Sequence, residues 1–159
     1  MGMSASADVV YGVDLGDREY GESYVEYPDE GAWEDGLSEA LDDLIGQYQK
    51  EVLGQPEVDW RAPGEERDRQ LALLRKWQQD FPQYSRLGYA SYGYEYAGTV
   101  IVSRSAASVD YGAKRLSVDF ADTNHDELEG LLKWLEGKGL RFTDPEKRKP
   151  GWLLLASYG

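Results

Sequence analysis

The run Gly151-Trp152-Leu153-Leu154-Leu155-Ala156-Ser157-Tyr158 constrains the fold more than any other stretch of the chain. A strand this apolar, with no charge along it, offers neither face to water, so it is predicted to be buried in the middle of a sheet. Val9-Val10-Tyr11-Gly12-Val13 has the same character and ends at Asp14-Leu15-Gly16-Asp17, a turn-forming cluster. Two strands apolar on both faces suit central positions better than edges, and the first and last strands are therefore expected to be neighbours.

Between them the texture changes several times. Trp33, Leu37, Leu41, Leu44, Ile45, Tyr48 and Val52 recur at helical spacing, opposite an acidic face of Asp35, Glu39, Asp42 and Asp43, and Gly54 suits the helix end. Residues 54–63 read as a connector. Pro63 can open a second helix, with Leu71, Leu73, Leu74, Trp77 and Phe81 on its apolar side, and Pro82 stops it. From Ser85 alternation takes over, and Tyr89 to Tyr96, Thr99 to Arg104 and Lys114 to Phe120 read as antiparallel strands, broken near Gly98 and at Ser105 to Ser108 or Gly112. Thr123 with Asp126 resembles a capping box, and Leu128, Leu131, Leu132 and Leu135 give a third helix ended by Gly137 or Gly139. The expected architecture is one α+β domain over residues 1–159. It has a mostly antiparallel sheet of four or five strands and three helices largely on one face. Residues 1–7 are expected to be disordered, and 16–31 to form an acidic loop.

Charge is divided unevenly. The formal net charge is -13, and residues 1–66 hold eighteen Asp and Glu against Arg18, Lys50 and Arg61, whereas residues 67–159 hold twelve acids against fourteen bases. Such a field repels nucleic acid and anionic membranes and attracts basic surfaces. The apolar fraction of 41% is too high for a wholly disordered chain. Cysteine is absent, which excludes disulfides and thiolate chemistry, and no apolar run reaches the length of a membrane span. The opening residues lack the n- and h-regions of a secretory signal. A cytoplasmic setting is the expectation.

No cofactor or catalytic motif of good specificity is present, and neither cofactor nor resident metal is expected. Val10 to Asp17 resembles the first phosphate loop of actin-like ATPases. However, Asp17 stands where a hydroxyl residue would meet phosphate, and its carboxylate would repel it. Asp14, Asp17, Glu19 and Glu22 offer oxygens to a hard cation, without the spacing of a calcium loop. His125, the one histidine, stands beside Asp126, yet no nucleophile elbow surrounds Ser103, Ser105 or Ser108. If Tyr89 to Tyr96 is one strand, Tyr92, Tyr94 and Tyr96 share a face and form a rigid contact surface.

Three segments, Val9 to Gly16 (VVYGVDLG), Ser108-Val109-Asp110-Tyr111-Gly112, and Pro150-Gly151-Trp152 to Ser157-Tyr158-Gly159, occur in this order along nearly the full length. In them the chain resembles small acidic proteins encoded by bacteriophages of actinobacteria. The resemblance implies an infected bacterial cytoplasm and transfers no catalytic residue. The functional expectation is a non-enzymatic protein-binding module. Its partner would be a host protein or defence complex with a basic surface, met by acids that imitate nucleic-acid charge. The contact residues would be Asp14, Asp17, Glu19, Glu22, Glu26, Asp35, Glu39, Asp42 and Asp43, with Tyr92, Tyr94 and Tyr96 as a secondary surface. The alternatives are a small metal-dependent enzyme using the carboxylates of Asp14 to Glu22, and a minor structural virion protein.

Overall fold

The computed structural model describes residues 5–110 and 112–158. In chain order the elements are β1 (Ala5–Asp17), β2 (Val25–Glu26), α1 (Leu37–Glu51), α2 (Gly64–Asp80), α3 (Pro82–Ser85), β3 (Gly88–Tyr94), β4 (Gly98–Asp110), α4 (His125–Gly137), β5 (Arg141–Phe142) and β6 (Gly151–Tyr158). The protein is α+β. Its main sheet has four strands in the order β1-β4-β3-β6 and closes on itself, while β2 and β5 form a separate two-stranded ribbon.

The first and last strands are neighbours, as their sequences predict. β1 and β6 pair antiparallel from Ala5↔Tyr158 to Gly12↔Gly151. The other side of β6 meets β3 in parallel at Gly93↔Ser157 and Tyr94↔Tyr158, which shuts the ring. So small a barrel needs strong coiling, and the β1–β4 ladder supplies it with register shifts after Val9, Tyr11 and Asp14.

Alternation along the strands makes two cores. Val10, Val100, Val102 and Leu155, with Ala90, Tyr92 and Leu153, fill the barrel. The space there is tight: a Cβ on Gly12 would lie 2.1 Å from the Ile101 carbonyl oxygen, and the Tyr92 ring occupies the place of a Cβ on Gly98. The outward residues Val13, Leu15 and Ile101 join Leu41, Leu44, Ile45 and Tyr48 of α1 and Leu128, Leu131, Leu132 and Leu135 of α4 in the larger core. Both helices thus bury most of the stripe that their spacing predicts, but Val52, just past the end of α1, is exposed. Trp33 belongs to this core from a separate 3-10 turn, and its Nε1 donates to the Lys138 carbonyl oxygen at 2.8 Å.

Several expectations are corrected. Lys114 to Phe120 is not a strand: β4 instead runs on to Asp110 through the expected break at Ser105 to Ser108. Closure explains this, because β1 is already paired on both sides and leaves no edge for another strand. Residues 112–123 instead cross the outside of the barrel, where Trp152 Nε1 donates to the Phe120 carbonyl oxygen at 3.0 Å. The C-terminal strand is not buried on both faces. Leu155 and Ser157 face inward, but Leu154, on the opposite face of the strand, is 73% exposed.

The capping box at Thr123 and Asp126 does not form. Asn124 precedes α4 in a left-handed conformation, and its Nδ2 donates to the carbonyl oxygens of Ser103, at 3.2 Å, and Gln83. On α2 only Trp77 is buried, its Nε1 donating to the Leu53 carbonyl oxygen at 3.2 Å, while Leu73 and Phe81 are exposed. Ala5 to Ala7, inside the stretch expected to be disordered, already belong to β1, and residues 1–4 lie outside the described residues.

Two glycine substitutions test the packing. Gly12→Ala drives a methyl into backbone that cannot yield cheaply, so it is expected to cost about 3 kcal/mol. Gly46→Ala, mid-helix in α1 with nothing within 4 Å of the new Cβ, is expected to gain about 0.5–1 kcal/mol. Thermal unfolding of the two variants should therefore move Tm in opposite directions; a stable Gly12→Ala would contradict the close approach of β1 and β4.

Candidate protein-interaction surface

The segment after β1 is folded more tightly than a long loop. Asp17 N–H donates to the Glu22 carbonyl oxygen at 3.0 Å, Tyr24 N–H to the Leu15 carbonyl oxygen at 3.0 Å, and Gly16 bridges Ser23. Asp17 Oδ1 accepts from the amides of Glu19, at 3.0 Å, and Tyr20, at 2.8 Å, which caps the turn. The turn therefore presents Glu19, Tyr20 and Glu22 to solvent in a fixed order.

The proposed contact acids separate into groups. Asp14 is not on the exposed surface: its Oδ1 accepts from the Gly16 amide at 2.8 Å and from the Tyr92 hydroxyl at 2.7 Å. Asp17 is half-buried and serves the turn. Glu26 pairs with Arg141 across the β2–β5 ribbon. Asp35, Glu39, Asp42 and Asp43 are exposed; the α1 periodicity keeps Glu39, Asp42 and Asp43 off the apolar stripe, while Asp35, expected on the same helix face, lies in the turn before α1. Glu19 and Glu39 line one shallow cleft with Arg18, Leu37 and Ala97, so the turn and the start of α1 form a continuous surface. Asp42 and Asp43 line the next hollow along α1, with Lys50, Glu51 and Glu57. Tyr89 lies close by, its hydroxyl pKa raised by burial first and by Asp42 and Glu39 after it.

Most cations of the second half are spent inside the molecule. Arg148 donates through Nε and Nη2 to Glu136 Oε1, at 2.9 and 2.8 Å, and through Nη1 to Glu129 Oε2 at 3.0 Å. Lys149 pairs with Glu146, Lys76 with Asp80 and Arg69 with Glu66, while Arg86 and Arg104 share Asp122. Lys147 lies over the Tyr24 ring and Lys138 over that of Trp134. Of the nine contact acids proposed from sequence, Glu26 alone has an ion-pair partner among the described residues. The negative field of the turn and α1 is therefore left open to solvent.

The expected common face of Tyr92, Tyr94 and Tyr96 does not exist. Gly93 has φ 82°, which breaks the alternation, and β3 ends at Tyr94, with Glu95 and Tyr96 in a left-handed turn. Tyr92 turns into the barrel, where burial and then its bond to Asp14 push its hydroxyl pKa up. Tyr94 turns outward and meets two tyrosines that the sequence reading missed, Tyr20 and Tyr158. No local periodicity links these three positions; only the β3–β6 pairing and the folded turn bring them together.

The carboxylates of Asp14 to Glu22 do not converge, and no group of three or more acidic or histidine side chains among the described residues could hold a metal ion. His125 Nδ1 is 2.9 Å from the Tyr11 hydroxyl, while Ser103 Oγ donates to the Thr123 carbonyl oxygen at 2.7 Å, so histidine and serine serve separate structural bonds. A separate apolar hollow is lined by Val9, Ala107, Val109, Leu116 and Leu154, with Lys114 its one charged lining residue among the described residues. No helix among the described residues is long and apolar enough to cross a membrane. The chain matches no protein-family model, no curated protein and no solved structure.

Proposed function

We propose that this protein is a non-enzymatic acidic module that binds a partner protein through that partner's basic surface. The observation that carries the reading is the unequal spending of charge. Most cations of the second half are engaged within the molecule, whereas Glu19, Glu22, Asp35, Glu39, Asp42 and Asp43 stand exposed with no ion-pair partner among the described residues. Exposed ion pairs contribute only about 0–1 kcal/mol each, so such a surface acts mainly on association rate and salt dependence. With the resemblance to phage proteins, the setting we propose is an infected bacterial cytoplasm, and the partner a host protein or defence complex. The acids would then occupy a groove built for a phosphate backbone. The metal-dependent alternative has little support, since Asp14 and Asp17 are engaged in structural bonds.

The test compares the wild type with the triple variant Glu39→Lys, Asp42→Lys, Asp43→Lys. All three residues are exposed, so Tm should change little. Bacterial lysate passed over both should give a basic protein that the wild type retains at low salt and releases at high salt. Association of that protein with the triple variant should be slower by about tenfold at low salt. An unchanged rate would reduce the acidic face to a solvated surface.

A further inference from the structure

We infer that Tyr20, Tyr94 and Tyr158, together with the Glu95 carboxylate, form a receiving patch for arginine side chains of a protein partner. The inference rests on the acidic-module reading and names the contact that would give it specificity.

The patch is built by the fold. Tyr158 ends β6 and Tyr94 ends β3, and the parallel register sets them side by side with ring centroids 5.9 Å apart. Tyr20 arrives from the turn after β1 and meets Tyr94 edge to face at 5.1 Å. The Tyr20 hydroxyl donates to Glu95 Oε2 at 2.5 Å, and the Glu95 amide donates to the Tyr158 carbonyl oxygen at 3.1 Å, so the carboxylate is held at the rim of the rings. The second Asp17 oxygen, Oδ2, lies next to Gly93, 3.6 Å from where a Cβ would be, and is not used by the turn amides. Glu19 adjoins Tyr20 in sequence, and it too is exposed.

The three tyrosines are 51%, 42% and 44% exposed, although they touch one another. An aromatic cluster that buried itself for stability would not leave each of its residues this exposed. Ring faces carry negative quadrupole potential, and the carboxylates beside them add full charge, so the patch favours a cation. Guanidinium fits better than ammonium because it is planar, stacks on rings, is weakly hydrated and forks onto a carboxylate. Nucleobases also stack on tyrosine, but their phosphates would meet Glu19, Glu95 and Asp17. The charge therefore selects a basic protein over a nucleic acid.

The test uses octa-arginine and octa-lysine peptides, which carry equal side-chain charge, titrated into the full chain. Octa-arginine should bind tighter than octa-lysine by about two- to fivefold per engaged ring, and should shift the amide resonances of Tyr20, Tyr94, Glu95 and Tyr158. Tyr94→Leu, which removes the ring in contact with both others and keeps apolar bulk at the strand end, should cut the preference by about the two- to fivefold share of one ring, and Tyr94→Phe should keep it. Melting curves of both variants confirm that the fold is retained. The triple variant at Glu39, Asp42 and Asp43 should weaken both peptides and leave their ratio intact. Equal binding of the two peptides to wild type, or an arginine preference undiminished in folded Tyr94→Leu, would overturn the patch while sparing the acidic module. Failure of both peptides to bind at low salt would overturn both.

Discussion

The two-residue parallel contact between the ends of β3 and β6 sets most of what is distinctive here. Without it the sheet would be an open antiparallel ribbon with two free edges; with it every strand is paired on both sides. The ring is narrow, so its interior takes small and medium side chains and demands close backbone approach at Gly12. It also divides the apolar residues of β1 and β4 between an inner core and an outer one, where α1 and α4 dock. The same contact brings Tyr94 beside Tyr158, and so creates the aromatic patch at that end of the barrel.

The division of charge follows the division of the fold. Arg148, between the last two strands, is drawn back onto α4 by Glu129 and Glu136, and its neighbour Lys149 pairs with Glu146. Among the described residues no cation pairs with Glu39, Asp42 or Asp43 on the outer side of α1, whose inner side is given over to the core. A surface of this kind contributes little to holding the protein together, and self-repulsion among its acids opposes compactness. In the function we propose, its consequence lies in steering a basic partner toward the turn and α1, where Tyr20 links the acids to the rings.

Legibility in the sequence tracked the range of the interactions. Leu41, Leu44 and Ile45 in α1 and Leu128, Leu131, Leu132 and Leu135 in α4 declare their helices through spacing alone, and Glu39, Asp42 and Asp43 are then outward by elimination. The adjacency of β1 and β6 followed from apolarity. Period two along a strand, by contrast, does not say which face a barrel will close over. Asp14 and Tyr92 therefore read as surface residues when they meet each other inside. Lys114 to Phe120 alternates like a strand, yet has no edge to join. Gly93 interrupts the tyrosine alternation through its backbone conformation. Tyr20 and Tyr158, far apart in sequence, both reach Tyr94, one from the folded turn and the other through closure.

The central claim is that one continuous surface, running from the turn after β1 across the tyrosines to the start of α1, receives a basic protein. Amide hydrogen exchange of the protein with and without its captured partner tests this most directly. The account predicts slowed exchange at residues 17–22, at 94–96 and in the first turns of α1, with no change along β4 at Ala107 to Val109 or in β6 at Leu154. Protection confined to the apolar hollow around Ala107, Val109 and Leu154 would contradict it.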